Sequence, residues 1–408
     1  MKLRCGAADF SLRGTSVLLF VVLALAATLL PAQVSDRVRK LHDQAFVFDA
    51  HVHVINRQFH DGSDIGQRLQ RGQFDLVRAR EGGMDALFFS LFVPEQYYPP
   101  RFETRHALRL IDLAHRQIAK NSDKIALALT ASDIDRIHKQ GKMAAVLDLE
   151  GGFDLDGDLG VLRMLHRLGL RAIQLPAHNW ANNFADSCCA TQKLGGLSEH
   201  GRKVIAEMNR LKMVINISHA SDKTVEQALE VSQHPLVATH HGMRALNDIP
   251  RNMPDELMKK VAAKGGLIGF HIGNEFHNRK MFDWRTSNAG KPFWDTTAIK
   301  REQELTIEDI DKRVAPTFPM EGTDAPQELL MTPKEWMGVV ERAISIVGED
   351  HVILGSDWDG GPTLPRGMKD VADLPQLTEA MLARGWSEAR IKKFLGGNLL
   401  RVFRSINP

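Results

Sequence analysis

Two histidines separated by one residue, His51 and His53, follow a short apolar run, Ala45–Ala50 (AFVFDA). On extended backbone, residues i and i+2 project to the same side, so both imidazoles can face one ion. Glu150 closes a second run (AAVLDL), and His178, His219 and His240 each follow a run of their own. One HxH, or one histidine after a strand, means little, because such residues are more often surface or satisfied core groups. Their recurrence at the same place relative to successive apolar runs is the signal. His51, His53, Glu150, His219 and His240 offer imidazole and carboxylate, the donors that suit zinc and other late first-row divalent ions. Five ligands are too many for one catalytic ion with an open position. Two divalent ions sharing Glu150 use them all, since an anion between dications about 3.5–4 Å apart offsets their repulsion. A hydroxide forming the second bridge would be the nucleophile, because metal binding brings the pKa of water from about 15.7 to about 7. No serine or cysteine nucleophile is then needed.

Eight apolar, β-branched runs set these residues out: Ala45–Ala50, Ala86–Phe92, Ala144–Leu149, Ala172–Leu175, Met213–Ile217, Leu236–Thr239, Leu267–Phe270 and Val352–Leu354. Near-continuous hydrophobicity fits strands of a parallel sheet buried on both faces. Amphipathic helices fill most gaps. Gly201–Leu211 carries Val204, Ile205, Met208 and Leu211 at helical spacing. Ser221 is suited to cap a helix around Thr224–Val231, and Pro254 to open one that Gly265 and Gly266 stop. Strand–helix alternation eight times over predicts an α/β fold, a (β/α)8 TIM barrel, with a doubly wound open sheet as the alternative. In such a barrel, chemistry sits at the C-terminal ends of strands. Those ends carry Asp49–His53, Glu150, His178–Asn179, Ser218–His219, His240–His241 and Ser356–Gly360. One excursion, from Gly273 to Met331 after strand seven, has weak periodicity apart from Glu302–Arg313 and reads as a lid or interface.

The rest of the sequence bounds the setting. The chain has 408 residues, 43% hydrophobic and 25% charged, an ordinary globular composition. With 52 basic and 50 acidic residues, no basic surplus points to nucleic acid. Lys2, Arg4 and Arg13 precede an uncharged run, Val17–Leu30, that is shorter than the ~20 residues of a membrane span. Residues 1–32 therefore read as a secretory signal ahead of one domain, 33–408, and predict export, to a bacterial periplasm by the signal's simplicity. The alternative is an uncleaved anchor that attaches the protein to a membrane. Of three cysteines, Cys188 and Cys189 are adjacent, a spacing that argues against an ordinary disulfide and leaves a loop or a thiol pair able to bind metal.

FDAHVH, LEGG at Glu150, His178-Asn179 with the later Ala185-Asp186, GLSEHGRKVIAEMNRLKMVINISHAS, His240, Arg251-Asn252, GSDWDG and GGNLLRVF occur in an order that resembles the membrane (renal) dipeptidases, from about Phe48 to Phe403. The resemblance implies a binuclear zinc dipeptidase of the amidohydrolase superfamily acting on small peptides, including those with a C-terminal D-residue. It implies that His51 and Glu150 bind one metal, and Glu150, His219 and His240 the other. His178 would stabilise the oxyanion and Arg251 grip the terminal carboxylate, a contact guanidinium makes bidentately. Asp357 would move a proton from the attacking water to the leaving amine. Family members are often dimeric and membrane-attached. One position departs: the family has aspartate where His53 stands, and an imidazole there leaves one more positive charge at the metal pair.

Other residues carry plainer expectations. Asp359 is expected behind the ligands, and His241 is turned away by alternation. His271 is a candidate pocket residue, and His60, His106, His200 and His234 are expected to be solvated. Trp180 and Trp358 either wall the pocket or pack in the core. Competing functions are an amidohydrolase of another class, acting on N-acyl amino acids or lactones, and a non-catalytic exported metal-binding protein.

Overall fold

A computed structural model describes residues 34–93, 102–151, 158–176, 178, 182–288 and 325–408. The N-terminal segment 1–32, Gly152, Asn179, Trp180 and the Glu302–Arg313 stretch lie outside the described residues. Among the described residues no helix is long and apolar enough to cross a membrane.

Nine strands form one sheet: β1 (Val47–Val52), β2 (Met84–Phe92), β3 (Ile125–Leu127), β4 (Met143–Glu150), β5 (Leu170–Gln174), β6 (Val214–Asn216), β7 (Val237–His241), β8 (Leu267–Phe270) and β9 (Val352–Leu354). Eight of them pair in parallel in the order β1-β2-β4-β5-β6-β7-β8-β9. All eight expected strands are present, with ends shifted by a few residues. The ninth, β3, was not expected. It pairs with Met143–Ala145 of β4, where β5 has not yet begun, because β5 joins β4 only from Leu147. The barrel closes at one rim through a parallel bridge between Val52 and Trp358. Two bonds reinforce it: His53 N–H donates to Trp358 O (2.8 Å) and Asp357 N–H to His51 O (3.0 Å). The helices follow their patterns: Glu199–Arg210 and Asp222–Val231 are helical, and Ser221 Oγ caps the latter by accepting from Thr224 N–H. Pro254 stands one residue outside its helix, Asp255–Ala263. Within the excursion, Arg279–Asn288 is helical, an element its weak periodicity did not reveal.

The barrel interior is layered, and the layers follow from period-two alternation. On β4, Ala144, Val146, Asp148 and Glu150 share one face: two apolar residues, then a polar one, then a site residue. Phe48, Phe88, Ala144, Val146, Val214, Val237, Leu267 and Ile353 form an apolar floor with Leu399, Val402, Phe403 and Ile406 of the C-terminal helix Asn398–Ile406. The rings of Phe48, Phe88 and Phe403 meet edge to face at 5.5–6.5 Å. Burying each such ring contributes roughly 1.5–3 kcal/mol. Gly396, just before this helix, is a packing requirement. A Cβ on Gly396 would lie 2.3 Å from Phe46 O and 2.6 Å from Phe48 N, so β1 could not approach a larger residue. The floor seals one end of the barrel and leaves the strand C-termini as the open rim.

Candidate active site

His51 lies within β1, and His53 one residue beyond it, where the chain turns into the helix Val54–Asp61. His53 is therefore not extended (φ −99°, ψ 16°). The two imidazoles still converge, with their Nε2 atoms 2.9 Å apart. Glu150 ends β4 and stands between two groups of donors. Its Oε2 is 3.1 Å from His51 Nε2 and 2.9 Å from His53 Nε2. Asp357 Oδ1 joins this side, 3.0 Å from His53 Nε2 and 3.6 Å from His51 Nε2. Glu150 Oε1 faces the other side, 3.1 Å from His219 Nε2 and 3.9 Å from His240 Nε2, which are themselves 3.1 Å apart. His178 Nε2 is 3.6 Å from the same oxygen, with its ring 4.2 Å from that of His219 and 4.7 Å from Phe92.

These separations can be tested against a metal. Four donors held at 2.0–2.1 Å around a tetrahedral ion stand roughly 3.3 Å from one another. The set His51, His53, Glu150 and Asp357 spans 2.9–3.6 Å in the contacts given above. The set Glu150, His219 and His240 spans 3.1–3.9 Å. Both fit. The charges agree. Burial opposes ionisation of Glu150, yet the His51 and His53 rings hold its carboxyl well below the usual range. Burial likewise opposes protonation of His53, but Glu150 and Asp357 hold that imidazole up at about 10. Two buried carboxylates demand positive charge between them, and a proton on His53 is what the chain itself can offer. A divalent cation meets the same demand more fully.

A polar layer lies beneath the donors. His51 Nδ1 is 2.8 Å from Ser90 Oγ, which donates to Asp148 Oδ2 at 3.3 Å. His240 Nδ1 is 3.0 Å from Thr239 Oγ1, which accepts from Asn216 Nδ2 at 3.0 Å. Partners on Nδ1 fix each ring and leave Nε2 to face the cluster.

Above the donors, Arg251 is buried with a carbonyl of the β7 end, its Nη2 donating to His240 O at 2.8 Å. Its Nη1 is 3.3 Å from His241 Nδ1. Its Nε has no hydrogen-bond partner among the described residues. Burial lowers its pKa to about 10, so the guanidinium remains charged at neutral pH. His241, expected to turn from the rim, instead touches Arg251 and supports it; strict alternation is broken by a register shift in β7.

The loops that carry these groups are strained. Of five non-glycine residues with positive φ among the described residues, His178 (47°), His219 (61°), Asp357 (67°) and Asp359 (63°) lie at strand C-termini in this rim. Such conformations persist where surrounding bonds enforce them and cluster at functional sites. Cys188 N–H donates to His219 O (2.7 Å) and Ser187 Oγ to His178 O (3.0 Å). Asp186 anchors that loop by accepting from Lys193, Leu194 and Gly196 N–H. Within it, Cys188 and Cys189 are bonded to each other, which corrects the expectation from their spacing and leaves no thiol pair to bind metal.

Every expected site residue therefore meets at one rim: His51, His53, Glu150, His178, His219, His240, Arg251 and Asp357. Asp359 lies behind, with Oδ2 2.6 Å from Arg57 Nη1. Trp358 takes the second of its two expected places, wholly buried in the core. Two further expectations change. His106 is buried, not solvated, and stacks edge-on to Phe59. His271 lies behind Asp357, bonded to it, a contact between β8 and the segment after β9 that no local pattern announces.

Residues 35–408 match the family described as membrane dipeptidase (peptidase family M19). The chain belongs to the membrane dipeptidase family. Dipeptidase tcpJ of Claviceps purpurea (strain 20.1) is 31% identical over 82% of this chain and 69% of its own length. Dipeptidase 3 of Mus musculus is 30% identical over 84% of this chain and 60% of its own length, so the chain spans well under two thirds of the mouse protein. Among solved structures, the probable dipeptidase PvdM of Pseudomonas aeruginosa superposes with a TM-score of 0.73 at 24% identity, covering 91% of this chain and 97% of that one. Dipeptidase AC, a metallopeptidase, gives 0.68 at 25% identity over 88% and 98%. The family match over residues 35–408 bears out the resemblance, and the solved structures share the barrel.

Proposed function

We propose that this family member is a zinc-dependent dipeptidase with two divalent ions, hydrolysing the peptide bond of unblocked dipeptides, those with a C-terminal D-residue included. One observation carries the reading: Glu150 turns one carboxylate oxygen to His51 and His53, which Asp357 also meets, and the other to His219 and His240. One ion would be held by the first set and the second by the other, and the imidazole-rich donors favour zinc. When bound, such a pair supplies Lewis acidity, polarising the carbonyl and acidifying water.

The chain's own groups do the rest. Arg251, buried and charged with Nε unpartnered among the described residues, takes the substrate's terminal carboxylate in a bidentate contact. That contact fixes the dipeptide's length from one end. His178, with its pKa lowered to about 4 by burial, is a neutral donor for the oxygen that becomes negative as water adds to the carbonyl. Asp357 is kept ionised by the rings of His271 and His53 against its burial. It takes the proton of the attacking water and returns it to the leaving amine. The apolar N-terminal run supports export of the chain, and either release or retention at a membrane is compatible with this chemistry.

The test is hydrolysis of L,L and L,D dipeptides by zinc-loaded enzyme, beside the same peptides amidated at the C-terminus. Cleavage of free dipeptides, abolished by chelator and blocked by amidation, is expected. Equal cleavage of amidated peptides removes the role of Arg251. Inertness toward all of them, with two metals bound per chain, favours N-acyl amino acids or lactones as substrates instead.

A further inference from the structure

Asp357 is held from two sides. Its Oδ1 belongs to the donor cluster, 3.0 Å from His53 Nε2. Its Oδ2 is 2.8 Å from Nε2 of His271, which follows β8 directly. The other nitrogen of His271 fixes the ring's tautomer. Gly273 N–H points at His271 Nδ1 from 2.8 Å. A backbone N–H can only donate, so Nδ1 is the bare, accepting nitrogen of a neutral ring. The proton is then on Nε2 and is donated to Asp357.

The ring is also clamped in place. It stacks on Phe276 with centroids 3.7 Å apart. Its backbone carbonyl accepts from Trp336 Nε1 (3.1 Å) and from His277 Nε2 (2.6 Å). A Cβ on Gly273 would lie 2.7 Å from His271 Cε1 and 2.9 Å from Nδ1, so only glycine lets the backbone approach the ring this closely.

We propose that His271 is a positioning residue: its Nε2–H engages Asp357 Oδ2 and keeps Oδ1 turned toward His53 and His51. The inference rests on the reading of Asp357 as the group that moves the proton. That task needs one oxygen at a constant place through the reaction, and a carboxylate free to rotate about χ2 would exchange its two. His271 does not relay the proton further. With Nδ1 occupied by Gly273 N–H, a proton taken from Asp357 would have no acceptor beyond the ring. Its work is orientation.

The experiment compares zinc-loaded wild type, H271F and H271Q on one dipeptide, with metal content measured for each. H271F keeps a ring against Phe276 without the donor; H271Q keeps an N–H near the same place. We expect H271F to hold its metal and its KM within about twofold while kcat falls about 10–100-fold, the range for lost supporting hydrogen bonds at metal sites. H271Q should recover most of that loss. Long-range 1H–15N correlation of histidine-labelled full-length enzyme should show one Nε2–H ring that is missing from H271F. An unchanged kcat in metal-replete H271F, or a His271 ring protonated at Nδ1, overturns the proposal. If H271F does not fold, kcat in H271Q and the wild-type tautomer decide: near-wild-type rate with an Nε2–H ring supports it, and an Nδ1–H ring overturns it. If the wild type cleaves no dipeptide, the peptidase reading fails, while the tautomer still decides whether His271 holds Asp357.

Discussion

His53 Nε2 stands 2.9 Å from Glu150 Oε2, on the side of that carboxylate that also faces His51. The resemblance leads one to expect aspartate at this position, and on that reading the chain meets Glu150 with a neutral ligand instead of an anionic one. The exchange leaves one more unit of positive charge at the donor cluster. The attacking water should be more acidic for it, and the activity should persist to lower pH. H53D is therefore expected to move the low-pH limb of kcat/KM upward, measured across pH 5 to 8 with zinc saturating. A limb that stays where it is would remove His53 from any role in tuning the water.

Ser90 supplies the next prediction. Its Oγ, 2.8 Å from His51 Nδ1, orients a ring whose other nitrogen faces the cluster, and Thr239 Oγ1 at 3.4 Å is a poor substitute. S90A should fold, since it removes one small hydroxyl from a layered interior. Zinc affinity should fall about 10–100-fold, the range for lost partners of metal-bound histidines. Competition with a chromophoric chelator reads this directly, and equal affinity in both proteins would show that Asp148 or Thr239 suffices.

How much of this was legible in the sequence depends on where the information resides. His51, Glu150, His219 and His240 are each fixed by a local feature, the end of a hydrophobic run, and eight such runs specify a barrel whose rim gathers them. Strand β3 (Ile125–Leu127) was not legible because it stands outside the eightfold strand–helix alternation and is made by pairing with Met143–Ala145 of β4, a tertiary contact. Nor was His106, whose burial depends on the helix Phe102–Lys120 packing against Phe59, a contact made between elements. The same holds for His271 and Asp357, 86 residues apart in the chain. Pattern finds the ligands; partners of ligands come from tertiary contacts, which alternation does not encode.

Metal removal should weaken the fold as well as the activity. Glu150 and Asp357 are buried together, and without a cation the burden of neutralising them falls on His53. A ligand present at about a thousand times its Kd stabilises the native state by roughly 4 kcal/mol. Chelated enzyme should show a lower Tm that zinc restores, measured by calorimetry with metal content followed in parallel. An unaltered Tm in metal-free protein would mean that the rim is preformed and contributes nothing to stability through its ions.

His106 sets an acid limit away from the rim. Burial, and then the positive charge of Arg109, lower its pKa to about 3, against an ordinary value near 6.5. Between those two values the unfolded chain binds the proton and the folded chain does not. Stability therefore rises with pH across that window and is lost as pH falls from 6.5 toward 3, by up to about 1.4 kcal/mol per pH unit. H106F retains an aromatic ring beside Phe59 and removes the titration. Urea unfolding of zinc-loaded wild type and H106F at pH 7 and pH 5 isolates the effect from the other histidines, which both proteins share. The stability lost between the two pH values should be smaller in H106F by roughly 2 kcal/mol. Equal losses would mean that His106 takes up its proton without leaving its site.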